Sequence, residues 1–187
     1  FDGLFNAPLP ITAMIGDSHA AAFGEGCFTP GAAKDTLGTG CSVLMNIGSR
    51  SETSAKGMMT TSCWSTEDRV DYALEGVIVS CGSIIEWVKN EMGLFDDVTQ
   101  TAAMAASVPD NNGVYLVPAF SGLGAPHWDM NRKAEIYGLT FDCKREHIVR
   151  ALLETIGFQI AAVIEDMERN GKSVLKSLSV NGGMTGN

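Results

Sequence analysis

No run of about 18 uninterrupted apolar residues occurs in this sequence, so no membrane-spanning helix is expected. The first residues also lack the basic, apolar and small-residue order of a secretory signal. Positive charge is scarce. Lys and Arg number 13 against 22 Asp and Glu, a formal net charge of −9. A chain so poor in cations is unsuited to tracking a nucleic-acid backbone, which needs clustered positive charge. It stays compatible with a nucleotide, whose phosphates can be held by backbone N–H groups and a metal ion. No P-loop of the form G-x-x-x-x-G-K-[ST] is present, so phosphates are not held in that way. The cysteines, at 27, 41, 63, 81 and 143, are odd in number and include no C-x-x-C pair. That speaks against a disulfide framework and a structural zinc site. Reduced, mostly buried thiols in a cytoplasmic protein are expected, and no metal-ligating set is assigned. The chain opens on Phe1 and stops at Asn187 just after a Gly-Gly turn, which reads as a piece of a longer protein.

What is present is a globular composition, 45% hydrophobic with 21 glycines, in 187 residues that suffice for one sizeable core. The stretch Lys34–Val43 organises it. It reads as strand, tight turn and strand, with Gly38-Thr39-Gly40 at the turn and Val43, Leu44 and Met45 beyond it. Glycines flanking a Thr permit positive φ and let N–H groups converge on one point, where the Thr adds a hydroxyl. Such a turn suits a terminal phosphate. It equally suits an ordinary hairpin.

Upstream, residues 1–10 are loop-like and Ile11–Ile15 reads as a short apolar strand ending at Gly16. Ala20–Phe23 favours a helix with a stop signal at Gly24–Gly26. Asp17 therefore stands at a strand end ahead of a helix, with Ser18 a candidate cap. Asp17 is either itself the cap or an ionised carboxylate able to take a proton from a hydroxyl. His19 reads as a surface or packing residue at the helix start, since no partner His or Cys stands at ligand spacing. Met58–Trp64 and Val70–Leu74 read as two more strands. Between Gly76 and Gly93 the period becomes helical at Ile84, Ile85, Val88 and Met92, with Gly82 in the first turn. Asp96–Ser107 reads as a second helix and Val114–Phe120 as a buried strand. The loop Ser121–Asp129 is expected to be anchored on the core by Trp128, and Gly138–Thr140 reads as a short strand or turn. The longest helix runs from about Lys144 to Asn170, capped by Asp142 and stopped at Gly171. Its apolar stripe is Ile148, Leu152, Ile156, Ile160, Val163 and Met167, and any part left uncovered would promote association. A last strand holds Leu175, Leu178 and Val180 and ends in Asn181-Gly182-Gly183. The sum is an α/β fold, a mixed sheet with helices packed on it.

Four stretches in order resemble the carboxy-terminal half of the FGGY family of carbohydrate kinases, and within it the glycerol kinase branch. They are Ile15-Gly16-Asp17 through Phe28, Lys34 through Cys41, Pro118 through Asp129, and Gly182-Gly183 with Asn187. The resemblance implies one lobe of the ribonuclease-H-like, actin-like ATPase architecture, spanning residues 1–187, without the amino-terminal lobe. It implies ATP-dependent phosphorylation of a polyol or sugar hydroxyl, with ATP and Mg2+ as cofactors. By resemblance Asp17 is the general base, and Asp17 and Ser18 face the substrate. Gly38, Thr39 and Gly40 face the γ-phosphate, Gly82 and Glu86 line the nucleotide cleft, and Gly183 and Asn187 match the adenosine-binding turn. Two positions depart from the glycerol kinase pattern, where Gln usually stands at both Ser18 and Glu86. The first ten residues also carry no Arg of the kind linked to sugar-bisphosphate inhibition, so that regulation is not expected. The implied partners are a small-molecule polyol or sugar, the amino-terminal lobe of the same parent chain, and a second copy in a homo-oligomer, with no nucleic acid and no membrane. This chain alone is expected to be catalytically dead. Two other readings stand beside it: a kinase for another sugar such as a ketopentose, and a nucleotide-binding module without transfer.

Overall fold

The computed structural model describes residues 3, 5, 7–51, 57–171 and 173–186. Its centre is the expected hairpin. Strands β1 (Ala32–Leu37) and β2 (Cys41–Gly48) run antiparallel, with Leu37 opposite Cys41 and Ala33 opposite Met45. β3 (Met59–Ser65) and β4 (Val70–Ile78) extend the sheet beyond β2, also antiparallel. Far along the chain, β7 (Ser177–Asn181) joins the free side of β1 in parallel, with Ala32 opposite Ser177. The order is β3-β4-β2-β1-β7. A parallel neighbour requires a crossover. It is made by α2 (Gly82–Trp87), α3 (Gln100–Ala106), a small hairpin of β5 (Tyr115–Val117) and β6 (Glu135–Tyr137), and α4 (Arg145–Gly171).

Both faces of the sheet are covered, so period-2 alternation sorts its residues into two cores. Ala33, Val43, Met45, Leu74 and Ile78 pack with Leu152, Ile156, Val163 and Met167 of α4. Ala32, Leu44 and Ala73 pack instead with Ala22 of α1 (Asp17–Gly24). The contact of α4 is close: a Cβ on Gly76 would lie 2.5 Å from Val163 Cγ1. Thus α4 covers the sheet with its own stripe. Ile148 and Ile160 lie at the half-buried margins, and Val149 is buried in their stead. By length and composition α4 could cross a membrane, a test that a core helix also passes. Cys27, Cys41, Cys63 and Cys81 are free and buried, and Cys143 is free and half-buried, as expected of reduced thiols.

Several elements differ from expectation. Residues 11–15 form no strand, and Ile11, Met14 and Ile15 stand exposed. Apolar composition supplies no ladder partner, and the sheet edges here belong to β3 and β7. The helix with Gly82 in its first turn begins there as expected, while the strand expected over Val70–Leu74 runs on through Ile78. The helix then widens into a π-helical turn, Val88–Met92, closed by Gly93 at φ 63°. The alanine-rich helix starts at Gln100 rather than Asp96, since Asp97 Oδ1 accepts the Thr99 N–H and folds those residues into a turn. The strand at 114–120 shrinks to β5, whose Tyr115 is exposed; Pro118 cannot donate to a ladder. Asp142 does not cap α4. The Lys144 N–H donates to His147 Nδ1 at 3.0 Å, a side chain reaching back from the first turn. Trp128 is half-exposed and its Nε1 donates to the carbonyl of Gly57 at 2.6 Å. The core anchor of its loop is the backbone: the Ala125 N–H donates to Val77 O at 2.9 Å, and Gly124 packs on that carbonyl with no room for a Cβ.

Candidate active site

The Gly38-Thr39-Gly40 turn is fixed from below by the entry to α2. Cys81 N–H donates to Thr39 O at 3.0 Å, Gly82 N–H to Gly38 O at 2.9 Å, and Ser83 N–H to Thr39 O at 3.2 Å. The expected reason for these glycines is corrected. Neither Gly38 nor Gly40 has positive φ. What the site needs is space: a Cβ on Gly40 would stand 2.8 Å from Ile78 O, and one on Gly82 would stand 2.7 Å from Gly38 O. Absent side chains let two backbone segments touch, which aims the exposed tip of the turn outward.

On one side of the turn lies a cavity of about 750 Å³, lined by Gly38, Thr39, Gly82, Glu86 and Gly183 together with Met184. It is also lined by Ala102 of α3 and by Thr99 just ahead of that helix. The Gly182–Gly186 turn closes it. Gly182, at φ +107°, lies against the backbone of Leu37, so this turn docks on the end of β1. On the other side lies a cleft of about 520 Å³, lined by Asp17, Ser18, Lys34, Gly40, Ser42 and Glu75, and again by Gly38. The two spaces meet at Gly38. All the expected site residues except Asn187 thus fall around one turn; Asn187 lies outside the described residues.

Asp17 is the first residue of α1 and exposed, and its Oδ1 accepts the Ser18 N–H at 2.7 Å. The helix cap is Gly16, with no side-chain bond, so neither Asp17 nor Ser18 caps it. The Ser18 hydroxyl is taken elsewhere: it accepts from Lys34 Nζ at 2.7 Å. His19 packs, as expected, with its ring nitrogen 3.2 Å from Thr61 Oγ1. Lys34 is not among the site residues expected from the sequence. It is fully buried, and burial pushes its ammonium below the usual lysine range while Glu75, Asp35 and Asp17 pull the other way. The signal that could find it is a charge in mid-strand, between Ala33 and the organising turn.

Beneath the turn, on the α4 face, Asp35 is fully buried. Its Oδ1 accepts from Cys41 Sγ at 2.6 Å and its Oδ2 has no partner among the described residues. Burial raises its carboxyl above the ordinary 3.8, against the Cys41 bond and the Lys34 charge. The sign follows by linkage. A carboxyl raised in the folded state contributes stability that is complete below 3.8 and lost as pH rises through the raised value. Asp35→Asn, equal in shape and uncharged, is therefore expected to gain stability on the native protein as pH climbs through that window. Thermal melts of both across pH 3 to 8 check this; a difference constant with pH would remove the assignment.

The pattern of the FGGY family of carbohydrate kinases, C-terminal domain, matches residues 33–187. The chain belongs to this family. Its FGGY relatives include the glycerol kinase of Caldanaerobacter subterraneus subsp. tengcongensis, 46% identical over 184 residues that cover 98% of this chain and 37% of the relative. The glycerol kinase of Symbiobacterium thermophilum is 47% identical over 184 residues, with the same coverage of 98% and 37%. The crystal structure of Plasmodium falciparum glycerol kinase with ADP superposes with a TM-score of 0.87 at 41% identity, covering 92% of this chain and 35% of that one. A Brucella ovis xylulose kinase, 24% identical with a TM-score of 0.78 over 89% of this chain and 34% of its own, shows the fold alone. The mixed sheet with flanking helices is thus the actin-like ATPase lobe that the FGGY resemblance implied. This FGGY chain spans 37% of the length of the first of these relatives.

Proposed function

We propose that this chain supplies one wall of an ATP-dependent kinase site that phosphorylates a hydroxyl of a polyol or sugar, in the manner of a glycerol kinase. One observation carries the reading: the cleft with Asp17 and the nucleotide-sized cavity meet at the same glycine, Gly38. A transferred phosphoryl group must lie between a donor and an acceptor, and that junction is where both can reach it.

The cavity's volume lies within the range of small-molecule sites. Gly82 and Gly183 leave places in the lining without side chains, and a nucleotide can lie close against them. Thr39 offers a hydroxyl and an N–H at the exposed tip of the turn, where the terminal phosphate would rest. Among the described residues no three His, Cys, Asp or Glu side chains could hold a metal. Magnesium would come in on the phosphates, and Asp17, an exposed carboxylate lining the cleft, is the side chain that could hold it. When bound the ion supplies charge neutralisation on the phosphates. Asp17 takes the proton of the attacking hydroxyl as its oxygen bonds to the γ-phosphorus, and the bond from that phosphorus to the departing ADP oxygen breaks. The Gly38–Gly40 turn orients the group in transit. The rest of the acceptor is gripped by the amino-terminal lobe of the parent protein.

ADP release by the full-length protein with magnesium and ATP, against glycerol, other polyols and ketoses, tests the reading. Strong turnover of one acceptor is expected, and the 187 residues alone should show none. No turnover above the ATP blank, from protein that binds ATP, would leave a nucleotide-binding module instead.

A further inference from the structure

We infer that Lys34 is a positioning residue that fixes Asp17 over the Gly38–Gly40 turn, a role that rests on the transfer reading above. The ammonium of Lys34 has three protons to donate. Acceptors on three elements meet them: Ser18 Oγ of α1 at 2.7 Å, Thr36 Oγ1 of β1 at 3.1 Å, and Ser42 O of β2 at 3.1 Å. Period-2 alternation puts Lys34, Thr36, Ser42 and Glu75 on the sheet face that carries α1. Ser18 Oγ lies 3.3 Å from Ser42 Oγ, which donates to Glu75 Oε1 at 2.9 Å. The network thus bolts the residue after Asp17 to the two strands that hold the turn.

Little else holds the start of α1. Residues 7–16 pair with no strand, and Gly16 caps the helix without a side chain. Further ties among the described residues are the contact of His19 with Thr61 on β3 and, a full turn or more further on, the burial of Ala22 and the packing of Phe23 on Phe28 and Trp64. The acidic groups that act on the ammonium are Glu75 from β4 and Asp17 from α1, with Asp35 of β1 and Cys41 of β2 acting from the α4 face of the sheet. Stability alone gives no reason for a wholly buried cation, because a well-packed apolar side chain does as well or better. What the ammonium adds is a fixed distance between base and turn. A reacting group displaced by about 1 Å loses on the order of 100-fold in rate.

The test uses the full-length protein, with Lys34→Met and Ser18→Ala compared with wild type. Lys34→Met is expected to lower kcat about 100-fold while KM for ATP stays within about threefold. Amide hydrogen exchange of residues 17–21 should speed up about tenfold, with β1 and β2 unchanged. Ser18→Ala cuts the same contact from the helix side without removing the buried charge. It should move kcat and exchange in the same direction, and it decides the matter if the Lys34→Met protein does not fold. Wild-type kcat and wild-type exchange at 17–21 in either folded variant would overturn the inference. So would a joint change of kcat, KM and exchange throughout the sheet, the mark of a merely structural lysine. If the wild-type protein binds ATP and transfers nothing, the transfer reading has failed. Exchange at 17–21 then decides on Lys34 by itself, unchanged protection overturning the inference and faster exchange upholding it.

Discussion

Asp17→Asn is expected to lower kcat about a thousandfold while leaving ATP affinity within about threefold, the size of effect that loss of a general base produces. The substitution isolates the proton acceptor from everything else Asp17 does. An amide oxygen in place of Oδ1 can still accept the Ser18 N–H, a bond of 2.7 Å in the native protein, so the start of α1 keeps its geometry. Asp17 does not line the larger cavity, so no nucleotide contact there is removed. What disappears is the negative charge, and with it the capacity to take a proton. Steady-state kinetics beside calorimetric ATP titration separate the two quantities. Full activity in the Asp17→Asn protein would end the base assignment. Weakened ATP binding in step with lost rate would instead make Asp17 a ligand of the phosphates or their metal.

The parts of this fold legible in the sequence are those where one local signal points one way. The β1–β2 hairpin is such a case, with glycines flanking a short turn and apolar residues beyond it. So is α4, whose stripe repeats along the helix and finds the sheet it needs. β7 is legible as a strand, although nothing local says that it lies parallel to β1. Failures cluster where a long-range partner decides. Ile11–Ile15 has strand composition and no neighbour to pair with. Trp128 has the size of an anchor, yet the backbone of Ala125 reaches the core first. The site divides in the same way. Its glycines are legible because small residues in a turn are conspicuous, while the reason for them is not: close approach at Gly40 and Gly82, in place of positive φ. Ser18 reads as a cap because it stands at a helix start. Its partner, Lys34, is 16 residues away, and only the folded sheet brings them together.

Gly82→Ala is expected to weaken ATP binding about 10- to 100-fold, a loss of about 1.4 to 2.8 kcal/mol of the size that overpacking produces. The added methyl carbon would stand 2.7 Å from Gly38 O and 3.1 Å from Met184 Sδ. The two contacts differ in how they can yield. Met184 has a flexible side chain and can swing aside. Gly38 O cannot move alone: it accepts the Gly82 N–H at 2.9 Å, while the Gly38 N–H donates to Gly40 O at 2.9 Å. Pushing that carbonyl away therefore tilts the whole turn, and with it the hydroxyl and N–H of Thr39 at its tip. The control is Gly183→Ala on the facing wall, where a Cβ meets nothing within 4 Å and φ needs no glycine. That variant should melt with the wild type, so any loss of ATP binding it shows reports contact with the nucleotide. The Gly82→Ala protein, in contrast, should melt lower as well as bind more weakly, because its methyl strains the turn even when the cavity is empty of nucleotide. Calorimetry and thermal melts on the full-length protein distinguish the pair. Wild-type affinity in the Gly82→Ala protein would mean that the turn above it does not hold the phosphates, and the nucleotide would then have to be sought against α3 and the Gly182–Gly186 turn.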